Sequence, residues 1–155
     1  MTDKEYVLTT MRRYGRLAAE DLQARAPEMT GMEIIAEEEF IPDFDSTRQY
    51  LNYPAGYLCR SEIGNVVKLI QPYDSITYPQ QPEELESQWG FYWSTDPKKA
   101  KPFVSKATSP FNTGDCCVYE GHVWRSGQDG NTWAPGTLNI KWEDLGTVEE
   151  IMGAA

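Results

Sequence analysis

Two stretches of this chain repeat each other in order and spacing, and the repeat constrains the fold more than any other feature. One reads Pro54-Ala55-Gly56-Tyr57-Leu58-Cys59 and then Gly64 to Gln71; the other reads Asn112-Thr113-Gly114-Asp115-Cys116-Cys117 and then Gly121 to Gln128. Gly56 falls on Gly114, Cys59 on Cys117, Gly64 on Gly121, Lys68 on Arg125 and Gln71 on Gln128, with one residue of slippage at the turn. Each copy then passes a ring near a proline (Tyr78-Pro79; Trp133-Ala134-Pro135) and closes on a tryptophan, Trp89 or Trp142. A repeat of this kind marks a supersecondary unit used twice.

Each copy reads as a β-hairpin. In the second, Glu120-Gly121 sits between β-branched and aromatic residues and supplies a turn with glycine where a positive φ is wanted. Alternation places Cys117 and Tyr119 on one face, joined across the turn by Trp124 and Ser126; Cys59, Val67 and Leu69 take the equivalent face of the first copy. Between the hairpins, Pro82–Gln88 and Asp96–Lys101 read as short helices, the latter with Asp96 as cap and Pro97 at its first position.

The first 45 residues differ. Val7, Leu8, Met11, Tyr14, Leu17, Ala18 and Leu22 recur at three- and four-residue steps, predicting an amphipathic helix over Lys4–Ala24 that Pro27 ends. Thr30-Gly31-Met32-Glu33 fits a capping box ahead of a second, short helix that Pro42 closes. The segment holds 11 acids against 5 bases, more than half of the chain's net charge of −10. The fold class expected is α+β: a helical segment over 1–45, a degenerate β module over 46–104 and a second over 105–155. A stripe around Leu8, Met11 and Leu22 that the small modules leave uncovered would be an assembly surface, and removal of residues 1–26 would then leave the modules folded.

Charge and motifs narrow the function. With 14 Lys+Arg against 24 Asp+Glu, the chain is poorly suited to track nucleic-acid phosphates. No apolar run approaches the roughly 18–20 residues of a membrane span, and the first residues show no basic or apolar export signal. Three cysteines in no CxxC spacing read as reduced thiols, and adjacent Cys116 and Cys117 point to opposite strand faces. The single histidine, His122, reads as an exposed hairpin residue. Glu37, Glu38 and Glu39 diverge by about 100° each on a helix and do not converge on one bond. Asp129-Gly130-Asn131 lacks the ligand order of an EF-hand loop. Neither GxxxxGK[ST] nor GxGxxG occurs. The expectation is a non-enzymatic protein with no cofactor and no metal.

Rings are plentiful: 5 Trp, 9 Tyr and 5 Phe. Phe111, Gly114-Asp115, Cys117, Tyr119, Gly121, Trp124, Ser126, Pro135 and Trp142 together resemble the pattern of family 5/12 carbohydrate-binding (type 3 chitin-binding) modules. The whole chain is similar to small tail-region proteins of bacteriophages and prophages that carry two degenerate modules of this kind, through Glu33–Asp45, Leu69–Pro72 and Trp93–Pro102. The resemblance implies a virion or tail protein assembled in the bacterial cytoplasm, with other virion proteins and further copies of itself as partners. It also implies a glycan as the alternative ligand, for which Trp133, Tyr119, Trp124 and Trp142 are the candidate ligand-binding residues. Two readings of those rings stay open: a platform for a sugar, or core. The family's sugar-stacking rings before Gly114 and after Ser126 are missing here, and Tyr57 stands where the first copy should have Asp, which favours a structural or docking use.

Overall fold

The computed structural model describes residues 2–153. The protein is α+β, with an N-terminal helical segment followed by two small sheets. Helix α1 (Asp3–Arg25) starts on a capping box in which Thr2 Oγ1 accepts from the Glu5 amide and Glu5 accepts from the Thr2 amide. A single 3-10 turn over Ala26–Glu28, carrying Pro27, ends it. The box read at Thr30 and Glu33 opens α2 (Gly31–Ala36). A Cβ on Gly31 would stand 2.5 Å from the Trp93 carbonyl oxygen, so only glycine lets α2 press this closely on the β region.

This segment is part of the core, which corrects the expectation that residues 1–26 are dispensable for folding. Leu22 of α1 and Ala26, first in the 3-10 turn after it, join Ile34, Ile35 and Ile41 over Leu58 and Val66, all fully or almost fully buried. The Gln23 side chain clamps the strand edge from both sides, accepting from the Leu58 amide at 2.8 Å and donating to its carbonyl at 3.0 Å. Leu22 therefore belongs to the intramolecular core. Leu8 and Met11, farther out on the same helix, stay exposed.

The first sheet holds β1 (Leu58–Arg60), β2 (Val66–Leu69) and β3 (Trp89–Phe91), all antiparallel. The second holds β4 (Lys101–Pro102), β5 (Cys116–Tyr119), β6 (His122–Ser126) and β7 (Trp142–Thr147), with β4 parallel to β5 and the rest antiparallel. Helix α3 (Val148–Met152) folds back over Cys116 and Val123. The repeat is structural at the level of single hydrogen bonds. Gly56 donates to the Leu69 carbonyl and Gly114 to that of Ser126; Leu69 donates to Tyr57 and Ser126 to Asp115; Tyr57 donates to Pro54 and Asp115 to Asn112. Gly56 and Gly114 have φ of 93° and 95°. The slipped residue lies in the turn, where Ser61–Asn65 is spanned by three residues and Tyr119–His122 by two. In the tighter turn both Glu120 (φ 49°) and Gly121 (φ 79°) are left-handed, the conformation that matches strand twist.

The repeat also reaches farther upstream than the sequence pattern showed. Phe44 donates to the Arg60 carbonyl and Phe103 to that of Val118, each entering its sheet in parallel with the hairpin's first strand. Each structural copy thus begins a few residues ahead of positions 46 and 105. Between the hairpins the expected helices shrink to one 3-10 turn each, Pro82–Glu84 and Pro97–Lys99. Leu85 leaves helical geometry at φ −128° and packs against the ring cluster, which stops the first of them.

Asp74 ties the loop after β2 to the loop before β1. Its carboxylate accepts from Thr77 Oγ1 at 2.6 Å, Gln49 Nε2 at 2.9 Å and the Ile76 and Thr77 amides at 3.1 Å. The Thr77 hydroxyl foremost, with Gln49 next, lowers its pKa to about 2. A carboxylate with a depressed folded pKa contributes stability above its unfolded value near 4, and that contribution is lost as pH falls toward 2. The melting temperature should therefore drop between pH 4 and pH 2, and Asp74→Ala should show a smaller drop over that interval. Equal drops in thermal melts of the two proteins would count against this role.

Candidate functional site

Each repeat closes around three rings in the same arrangement. In the first, Phe44 stacks on Tyr50 at 5.5 Å and 14°, and Trp89 meets both edge-on at 84° and 86°. In the second, Phe103 stacks on Phe111 at 5.6 Å and 15°, and Trp142 meets them at 83° and 68°. Edge-to-face contact of this kind suits the ring quadrupoles and adds to the burial of each ring. Trp142 is thus the counterpart of Trp89, which is completely buried.

That equivalence decides where the candidate rings lie. Trp142 packs on the core, and its indole N–H donates to the Trp133 carbonyl at 2.8 Å. Tyr119 meets Phe103 edge-on at 5.6 Å. Trp124, opposite Cys117 on the expected face, donates its indole N–H to the Tyr119 carbonyl at 3.2 Å. All three are half-buried against the central cluster. Trp133 alone of the four presents an open face, at 48% exposure. Its backbone is pinned: the amide donates to Asn131 Oδ1, and the carbonyl takes the Trp142 bond. The four residues therefore do not make one flat platform. Three close the module and one stands out from it.

The polar residues singled out in sequence are engaged within the fold. Asp115 accepts from the Asn112 amide and closes the turn that carries Gly114; burial, with Asp129 nearby, raises its pKa. Asp129 accepts from the Thr113 amide, and Asn131 donates to Ser126 Oγ. His122 pairs across the strands with Asp144 at 2.9 Å, and this bond lowers the Asp144 pKa. In the acidic run, Glu37 pairs with Arg25 and Glu38 with Lys101, so these two carboxylates hold the N-terminal segment to itself and to β4.

The three cysteines are free and buried, with Cys117 facing the central cluster and Cys116 the cluster under α3. Burial pushes the Cys59 thiol up to about 11 and raises the other two as well. Thiolate is the reactive form. Native protein near neutral pH should leave all three unmodified by a chromogenic disulfide reagent, and unfolded protein should release three equivalents. Rapid labelling of one cysteine in the native state would contradict the packing described.

A second surface was not read from sequence. A groove of about 890 Å³ opens where α1 leaves the body, between Gly15, Ala19 and Gln23 on the helix and Phe40, Pro42, Tyr53 and Tyr57 opposite. Tyr53 and Tyr57 meet edge-on at 4.7 Å and 62° and form its aromatic wall. Arg16, Arg48, Glu20 and Glu39 supply its charges. Its one trace in the sequence is Tyr57, the residue that replaces the pattern's Asp: the first repeat spends that position on this wall.

Comparison with protein-family profiles, characterised proteins and solved structures finds no match to this chain.

Proposed function

We propose that this chain is a non-enzymatic structural or docking protein of a bacteriophage tail or virion. In this reading its two β modules keep the scaffold of a carbohydrate-binding module and have given up its sugar platform. The observation that carries the proposal is the placement of the rings. Tyr119, Trp124 and Trp142 are packed against the module core, and the equivalent Trp89 is wholly enclosed. A pyranose-stacking site needs ring faces open to solvent, with polar groups beside them to fix orientation. The tail or virion setting, and assembly in the bacterial cytoplasm, rest on the resemblance of Glu33–Asp45, Leu69–Pro72 and Trp93–Pro102 to phage tail-region proteins. The partners are other virion proteins; nucleic acid and membrane are not among them.

The alternative, recognition of a bacterial cell-wall or surface polysaccharide, rests on Trp133, whose ring is half-exposed on a hydrogen-bonded loop. Calorimetry against soluble chito-oligosaccharides and peptidoglycan fragments separates the two. The docking reading expects no isotherm tighter than the millimolar range. A micromolar isotherm that Trp133→Ala abolishes would put the glycan reading first.

A further inference from the structure

The outer half of α1 and the groove at its root are two unfilled surfaces with matching chemistry. From Asp3 to Leu17 every residue except Thr10 is exposed, including Tyr6, Val7, Leu8, Met11, Tyr14 and Leu17 at 41–69%. At about 100° per residue, Leu8, Met11 and Gly15 continue the stripe that Leu22 and Ala26 bury against the body. One helix face is therefore core at one end and bare at the other. A bare helix of some 15 residues is marginal in water unless its apolar face is covered.

We propose that a second copy of this chain covers it: the outer half of α1 from one molecule lies in the groove between α1 and Phe40, Tyr53 and Tyr57 of another. Three observations select this occupant. The first is charge. Residues 1–17 hold four bases and two acids, a net of +2, in a chain whose total is −10, so the remainder carries −12. The groove edge offers Glu20 and Glu39, and Glu39 is the member of the acidic run without an ion pair among the described residues. Lys4 and Arg12 of an incoming helix, on or beside its Leu8 and Met11 face at about 100° per residue, meet these carboxylates, and Glu20 exchanges its exposed pairing with Arg16 at 3.9 Å for an intermolecular one.

The second is Gly15. Glycine inside a helix costs about 1 kcal/mol relative to alanine. Apart from its chain neighbours and its own helix backbone, no atom lies within 4 Å of where its Cβ would be, so no packing against the rest of the described chain requires it. Gly15 lines the groove, where a missing side chain lets another backbone approach closely. The third is reach. The groove begins at Gly15 and lies beside the inner half of α1, so the outer half, continuing straight from it, cannot fold back into its own groove. Helix and groove are different patches, so the contact is isologous if two molecules make it reciprocally and heterologous if it runs head to tail. Made reciprocally it closes a two-fold pair, and made in series it closes a ring.

The test is light scattering on size-separated full-length protein, which needs no particle and so stands apart from the virion proposal. Wild type should associate with rising concentration. Leu8→Asp with Met11→Asp should be monomeric, as should Glu39→Arg with Phe40→Ser, each weakening association about tenfold or more. Mixed together, the helix variant and the groove variant should form a heterodimer, since each keeps the half the other lacks. Gly15→Gln should also weaken association while raising helix stability, so its effect cannot be misfolding. Any one of three results overturns the proposal: a monomeric wild type at high micromolar concentration, an oligomer that the groove variant leaves intact, or no heterodimer on mixing.

Discussion

Trp89→Ala should be the most damaging single ring substitution in the protein, costing about 3–5 kcal/mol, a large share of the roughly 5–15 kcal/mol that keeps a domain folded. Trp89 is fully buried, lies edge-on to Phe44, Tyr50 and Tyr73, and donates its indole N–H to the Tyr73 hydroxyl at 2.8 Å. Alanine would leave a cavity among rings too rigid to collapse into it and would strand the Tyr73 hydroxyl. Trp142→Ala opens the corresponding site in the second repeat, against Phe103 and Phe111, and should be the next most damaging. Trp124→Ala also removes a ring packed on the core and should destabilise clearly. Trp133→Ala should barely shift the melting temperature, because its ring is half in solvent. Denaturant melts of the four variants check this order, and a Trp133→Ala loss as large as that of Trp142→Ala would contradict the assignment of core and surface.

Truncations should divide α1 at a defined point. Of the described residues, deleting 1–17 removes only exposed ones and half-buried Thr10, and the melting temperature of the remainder should hardly change. Deleting residues 1–26 strips Leu22, Ala26 and Gln23 as well. The cluster of Ile34, Ile35, Ile41, Leu58 and Val66 then loses its cover, and the Leu58 amide and carbonyl lose their partner. Burial of a single leucine of this kind is worth about 2–5 kcal/mol, so the longer deletion should melt far lower or fail to fold. Circular dichroism melts of the two truncations measure the difference directly. Equal stability of both would contradict the packing of α1 on the first sheet.

Much of this architecture was legible in the chain because it depends on local rules. The capping box at Thr30, the hairpins at Leu58–Leu69 and Cys116–Ser126, and the opposed faces of Cys116 and Cys117 follow from spacing alone. What escaped was non-local. Phe44 and Phe103 enter their sheets in parallel through one or two hydrogen bonds, too short a strand to leave an alternating pattern. The depth of Leu22 depends on where α2 turns the chain, and Gly31 sets that through its contact with the Trp93 backbone. Tyr119, Trp124, Trp133 and Trp142 stand close together in the chain, but alternation along a strand does not separate a ring that closes a core from one that faces solvent. The groove joins the helix at Gly15–Gln23 to the stretch from Glu39 to Tyr57, and only Tyr57, out of place in the repeat, marked it.

The most direct test of the proposed tail or virion role is quantitative mass spectrometry of particles purified from cells that express the gene from its native locus, with full-length chain and the 1–17 deletion compared. The full-length chain should copurify at a fixed number of copies per particle, and the truncation, though folded, should be depleted from particles and left in the cleared lysate. A full-length chain abundant in the lysate and missing from intact particles would contradict the account.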